Sequence, residues 1–118
     1  MTEETPLRVL VVEDEMLVAM MVADMLEDLG HEPVGPAMRL DQALEMARTE
    51  PIDAAVLDVN LGEGKSFPVA DVLRERHVPF IFATGYGIQG LSEGYRNVET
   101  LNKPFQAADL ARALEHAA

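Results

Sequence analysis

Three six-residue runs, Leu7–Val12 (LRVLVV), Asp53–Asp58 (DAAVLD) and Pro79–Thr84 (PFIFAT), are apolar almost throughout, and they narrow the choice of fold more than any other feature. A strand with one wet face alternates apolar and polar residues. Runs this short and this continuously apolar suit strands covered on both faces, as in a parallel sheet sandwiched between helices. Helix-period segments fall between them. Val18, Val22, Met25, Leu26 and Leu29 recur at helical spacing across 15–29, with Gly30 as a stop. A weak strand over 32–35 leads to a helix over 41–48, closed by Pro51, and a helix over 68–76 begins with proline where proline is tolerated.

The remaining elements are a glycine-broken helix near 88–95, a short strand over 99–102, and a closing helix over 106–116 with Leu110 and Leu114 on one face. Gly85, Gly87, Gly90 and Gly94 fall within 85–97, where the first of these should lie, and each interior glycine costs about 0.8–1 kcal/mol of helix propensity, so that helix is expected to be short or frayed. Five βα units of this kind imply an α/β fold, a five-stranded parallel sheet with helices on both faces and right-handed crossovers. Ligands in such folds sit beyond the carboxyl ends of the strands, at the switch point of the winding.

Size and charge remove several function classes. The 118 residues fit one domain, 1–118, large enough for a core without disulfides or a structural metal. The absence of cysteine removes zinc-finger, disulfide and thiol-nucleophile chemistry. The N-terminus MTEETPLR is acidic where a secretory leader is basic, and the apolar run after it is too short to span a bilayer, so a soluble cytoplasmic protein without a membrane partner is expected. A net charge of −12 repels the phosphates of a nucleic acid, and the acids are interleaved with apolar positions as on the surface of a folded domain.

Gly64-Lys65-Ser66 looks at first like the tail of a phosphate-cradling loop, but that loop needs a glycine where this chain has Val59. The glycines there read instead as a turn out of the third strand. The strand ends are more informative. Strand one runs into Glu13-Asp14, strand three ends at Asp58, strand four at Thr84, and Lys103-Pro104 follows strand five. Singly, each has an ordinary explanation as a helix cap or a surface residue. Together they converge on one edge of the sheet, where clustered carboxylates repel unless a cation joins them. Oxygen ligands with room for water suit Mg²⁺ or Mn²⁺, and Lys103 and Thr84 can hold phosphoryl oxygens. His31, His77 and His116 lack metal-ligand spacing and read as surface residues, while Met16, Met20, Met21 and Met25 read either as an adaptable binding face or as core filling.

With these residues in this order, the chain from Leu7 to about His116 resembles a receiver domain of the two-component response regulators. The resemblance implies a flavodoxin-like (βα)5 doubly wound sheet of strand order 2-1-3-4-5; from its length, a single receiver domain over 1–118 with no output domain is expected. It makes Asp58 the phospho-acceptor, and Glu13, Asp14 and Asp58 ligands of Mg²⁺ (or Mn²⁺), directly or through water. Asn60 supplies a backbone carbonyl to the metal, Thr84 the hydroxyl that follows the phosphoryl group, and Lys103 its counter-cation. The implied donor is a phosphohistidine on a sensor histidine kinase or histidine phosphotransfer protein. The implied activity is the domain's own phosphorylation and dephosphorylation, relayed to a protein target, rather than turnover of an external substrate.

Departures from the commonest receiver pattern matter for switching. Gly62 stands where proline is usual, which predicts a looser loop, and Thr100 stands where an aromatic is usual. The run Phe82-Ala83-Thr84-Gly85-Tyr86-Gly87 resembles a subgroup with a phenylalanine-alanine-threonine-glycine motif, met mainly in alphaproteobacteria. Tyr86 and Thr100 are therefore candidate switch or rate-tuning positions, Tyr86 either screening the acceptor from water or packing on the last helix. The helix near 88–95 is expected to order when Thr84 engages the phosphoryl group. Two rivals stay open: a phosphorylation-independent interaction domain or phosphate sink, and a metal-dependent aspartyl phosphatase, although Asp58-Val59-Asn60 lacks the second acid of a D-x-D motif.

Overall fold

The computed structural model describes residues 6–62, 64–85, 93–95 and 97–117. In chain order the elements are β1 (Arg8–Val12), α1 (Met16–Asp28), β2 (Glu32–Ala37), α2 (Leu40–Thr49), β3 (Ala54–Asp58), α3 (Phe67–Glu75), β4 (Phe80–Thr84), a 3-10 turn (Glu93–Tyr95), β5 (Thr100–Asn102) and α4 (Ala107–Ala117). The strands form one parallel sheet in the order β2-β1-β3-β4-β5, as expected from the resemblance. The apolar runs take its three central places, and every residue of β3 and β4 is buried.

Alternation within each central strand divides the core into two layers. Leu10, Val12, Leu57 and Phe82 point to one face, packed with Ala43 and Ala47 of α2 and Val69 and Leu73 of α3. Val9, Val11, Val56 and Ile81 point to the other, against Val22 and Leu26 of α1 and Leu110 and Leu114 of α4. Burying each large aliphatic side chain contributes about 1.5–3 kcal/mol, which is why runs with no polar face are stable here. Helix α1 stops as expected: Gly30 at φ 87 donates to the Glu27 carbonyl and His31 to that of Leu26, the paired bonds of a glycine-terminated helix.

Some features differ from the sequence pattern or extend it. Strand β2 runs to Ala37, two residues beyond the expected stretch, since an edge strand accommodates Pro36. Most of the expected helix near 88–95 lies outside the described residues, and its end is the 3-10 turn. Met16, Met20 and Met21 lie with Leu17 on the solvent side of α1, at 53%, 53%, 54% and 77% exposure, whereas Met25 packs against the core. His31 is half-buried and accepts the Leu7 N–H at 3.1 Å, a bond between the start of β1 and the turn after α1. No described helix is long and apolar enough to cross a membrane.

Winding reverses between β1 and β3, which are neighbours although β2 follows β1 in the chain. Connections leave the sheet in opposite directions at this point, opening a crevice at the carboxyl ends of the two strands.

Candidate functional site

Two buried acids meet in that crevice. Glu13 follows β1 at once and is 3% exposed, and Asp58 is the last residue of β3 and 7% exposed. Glu13 is fixed by its neighbours: its backbone N–H donates to the Ala37 carbonyl at 3.0 Å, and its Oε2 accepts the Glu15 N–H at 3.1 Å. Its other oxygen, Oε1, accepts from Lys103 Nζ at 2.7 Å. The same ammonium lies 3.5 Å from Asp58 Oδ1. Lys103 reaches this place because its backbone N–H donates to the Thr84 carbonyl at 2.9 Å, tying the exit of β5 to the end of β4. Glu13, Asp14 and Asp58 each bring a carboxylate oxygen to within 4.8 Å of the others.

Charge of one sign at this density is costly away from water. Burial, and next the negative charge of Glu13, push the Asp58 carboxyl up to about 7, with Lys103 pulling the other way. Burial pulls Lys103 down, but its hydrogen bond to Glu13 and the charge of Asp58 outweigh that and hold it above its ordinary value. One ammonium thus serves two buried carboxylates, with Asp14 adding a third acid. This hard-oxygen donor set fits a divalent cation of the Mg²⁺ type, which neutralises clustered carboxylates and keeps part of its water.

The loop leaving β3, which Gly62 suggested would be looser, has backbone bonds of its own among the described residues. It closes as a small hairpin: Leu61 donates to the Gly64 carbonyl at 2.8 Å and Ser66 to that of Val59 at 2.9 Å, setting Asn60 directly opposite Lys65. Gly62 permits the turn at φ 67, and a Cβ on it would lie 3.4 Å from Asp14 Oδ2, so the hairpin reaches to the acidic cluster. Lys65 Nζ donates to the Asn60 side-chain oxygen. Both residues line one cavity of about 790 Å³ with Asp14, Asp58, Gly85 and Lys103. Sequence reasoning gave Lys65 no role; the only signal was the glycine-lysine-serine run, and it pointed to a different phosphate-binding motif.

The remaining sequence candidates sit as follows. Thr84 is 1% exposed at the end of β4, beside the cavity-lining Gly85. Thr100 opens β5, half-buried, and its hydroxyl donates to the Val98 carbonyl at 3.0 Å. Tyr86 lies outside the described residues. An aromatic that the sequence reading did not single out for switching packs nearby: Tyr95 is buried, stacked on Phe67 with ring centroids 4.9 Å apart and edge-on to Phe82 at 5.8 Å.

The chain as a whole has counterparts among known proteins. Residues 9–115 match the family model described as response regulator receiver domain. The solution structure of SdrG from Sphingomonas melonis superposes with a TM-score of 0.85 at 43% identity, covering 96% of this chain and 97% of that one. The transcriptional regulatory protein PdtaR of Mycobacterium tuberculosis is 34% identical over 93% of this chain and 56% of its own length. The phyllosphere-induced regulator PhyR of Methylorubrum extorquens is 33% identical over 92% of this chain and 42% of its own length, so the chain spans about half of these curated relatives. With buried acids and a lysine at the carboxyl ends of the strands and a family match over nearly its whole length, this chain belongs to the response regulator receiver domain family.

Proposed function

We propose that this chain accepts a phosphoryl group on Asp58 from the phosphohistidine of a sensor kinase or histidine phosphotransfer protein, in a Mg²⁺-dependent reaction, and passes the signal on by contact with a protein target. The observation that carries this reading is the Asp58 carboxylate at the end of β3, 3.5 Å from Lys103 and clustered with Glu13 and Asp14. In the proposed step an oxygen of Asp58 attacks phosphorus, and the bond to the imidazole nitrogen breaks with its electron pair. Phosphoryl transfer asks for placement and charge neutralisation more than for proton transfer. Lys103 and the Thr84 hydroxyl serve the phosphoryl oxygens in this scheme, and Glu13 orients Lys103. A divalent cation held by Asp14, Asp58 and the Asn60 carbonyl, with Glu13 direct or through water, would supply further positive charge and favour ionised Asp58.

Incubation with a phosphorylated histidine kinase domain tests this. We expect Mg²⁺-dependent label on the chain, lost on chelation and absent from Asp58→Asn. Label of undiminished intensity on that variant would exclude Asp58 as the acceptor.

A further inference from the structure

We propose that Lys65 is a second phosphate-contacting cation of this site, which leaves its amide partner to hold an oxygen of the phosphoryl group on its way to Asp58. The inference deepens the receiver reading and rests on it. Its first support is placement. Asn60 and Lys65 are opposed in an antiparallel bridge whose hydrogen bonds run between their neighbours, Leu61 to Gly64 and Ser66 to Val59. Side chains of such a pair leave the backbone on the same side and close together. That side is the cavity, since Asn60 and Lys65 both line it with Asp58.

The second support is charge. Lys103 is held on the inner wall by its bonds to Glu13 and Asp58, which leaves Lys65 as the other cation among the described residues lining the cavity. An incoming phosphoryl group brings two or more negative charges into a space already holding Asp14 and Asp58. Lys65 now bonds to a neutral amide oxygen, the weaker kind of acceptor. A charged phosphoryl oxygen accepts a shorter, stronger bond, and a lysine ammonium has three donors on a long, rotatable stem, so exchange of partners is favoured. The hairpin under Lys65, turned at Gly62, limits the search its stem must make. Lys65 moves no proton in this scheme; its part is to neutralise charge on the oxygens while the bond to the donor breaks.

Phosphoramidate, a small donor with a phosphorus–nitrogen bond, isolates this effect from kinase docking. An Asp58 oxygen attacks phosphorus and the P–N bond breaks; the nitrogen, already carrying three protons, departs with the bond pair as ammonia. The bimolecular rate constant, followed by phosphate-affinity electrophoresis in Mg²⁺, is expected to fall about fivefold or more in Lys65→Gln and further in Lys65→Glu. Lys65→Arg, which keeps the charge, should stay within about twofold of the unsubstituted chain. The advantage over Lys65→Gln should shrink as salt is raised, as for an exposed charge. Rates within twofold in both Gln and Glu variants overturn the inference, and so does an equal loss in Lys65→Arg, which would make the role one of shape. Absence of label on Asp58 in the unsubstituted chain overturns the receiver reading and the role of Lys65 with it; label on that chain with unaffected variants overturns the role of Lys65 alone.

Discussion

The two walls of the cavity place the same residue type under opposite conditions. On the inner wall Lys103, its side chain 21% exposed, closes on a Glu13 side chain that is 4% exposed, with the backbone of β4 fixing the approach. On the outer wall Lys65 is exposed and bonds to an uncharged amide on the opposite limb of a hairpin. Little water reaches the first pair, so removing one partner strands a charge. Water and salt screen the second, so its stabilising contribution is small and its geometry is free to change. The inner lysine is therefore tied into the fold, whereas the outer one carries little of it.

The sharpest way to break this contrast is Lys103→Met. It leaves Glu13, and Asp58 beside it, buried without their counter-ion, and a destabilisation of roughly 2–4 kcal/mol in urea unfolding is expected. Adding Glu13→Gln should recover most of that loss, because it removes the stranded charge. Strict additivity of the two substitutions would show that the inner pair is not coupled.

A somewhat smaller effect is expected from Asp58→Asn, and it depends on pH. The Asp58 carboxyl titrates at about 7 in the fold against an ordinary 3.8, so the folded chain holds this proton more tightly than the unfolded one. Its favourable share is complete below the ordinary value and is lost as pH rises through about 7. Without divalent cations, Asp58→Asn should therefore stabilise the chain by roughly 2–3 kcal/mol at pH 8, seen as a rise in Tm on the order of 10 °C, and by little at pH 4. Mg²⁺ should narrow the difference by raising the Tm of the unsubstituted chain, and should fail to do so when Asp14→Ala is also present. An identical gain at both pH values would show that it does not come from ionisation of Asp58.

Smallest of all should be the effect of Lys65→Ala on stability, within about 0.5 kcal/mol by the same urea measurement. A loss above about 2 kcal/mol would tie the outer wall to the fold no less than the inner one.

The sequence was most readable where burial on both sheet faces wrote uninterrupted apolar runs, as in β1, β3 and β4. Glu13, Asp14, Asp58, Thr84 and Lys103 were readable for a related reason: each lies at or just past the carboxyl end of a strand, so the topology alone brings them to one edge. The Asn60–Lys65 pairing was not, because it depends on a hairpin register set by two backbone bonds and a positive φ at Gly62. Nor was the way Tyr95 is held. Besides stacking on Phe67, it lies under Arg74, whose guanidinium carbon is 4.2 Å from the ring centroid and whose Nη2 donates to the Gly94 carbonyl at 3.0 Å. These contacts join α3 to the turn after β4, and nothing in local periodicity announces them. Ser66 Oγ is buried and has no hydrogen-bond partner among the described residues.

The outward side of α1 bears on how the chain behaves at high concentration. Met16, Leu17, Met20 and Met21 offer a soft, polarisable surface to solvent on a molecule with a net charge of −12. Two copies approaching through that surface meet a mutual repulsion that reaches about 30 Å at 0.01 M salt and only about 3 Å at 1 M. Dilute electrolyte therefore keeps the copies dispersed, while concentrated electrolyte removes the barrier and leaves the attraction between apolar side chains intact. Added electrolyte thus weakens the repulsion that the acids provide and leaves the apolar side of α1 as it was.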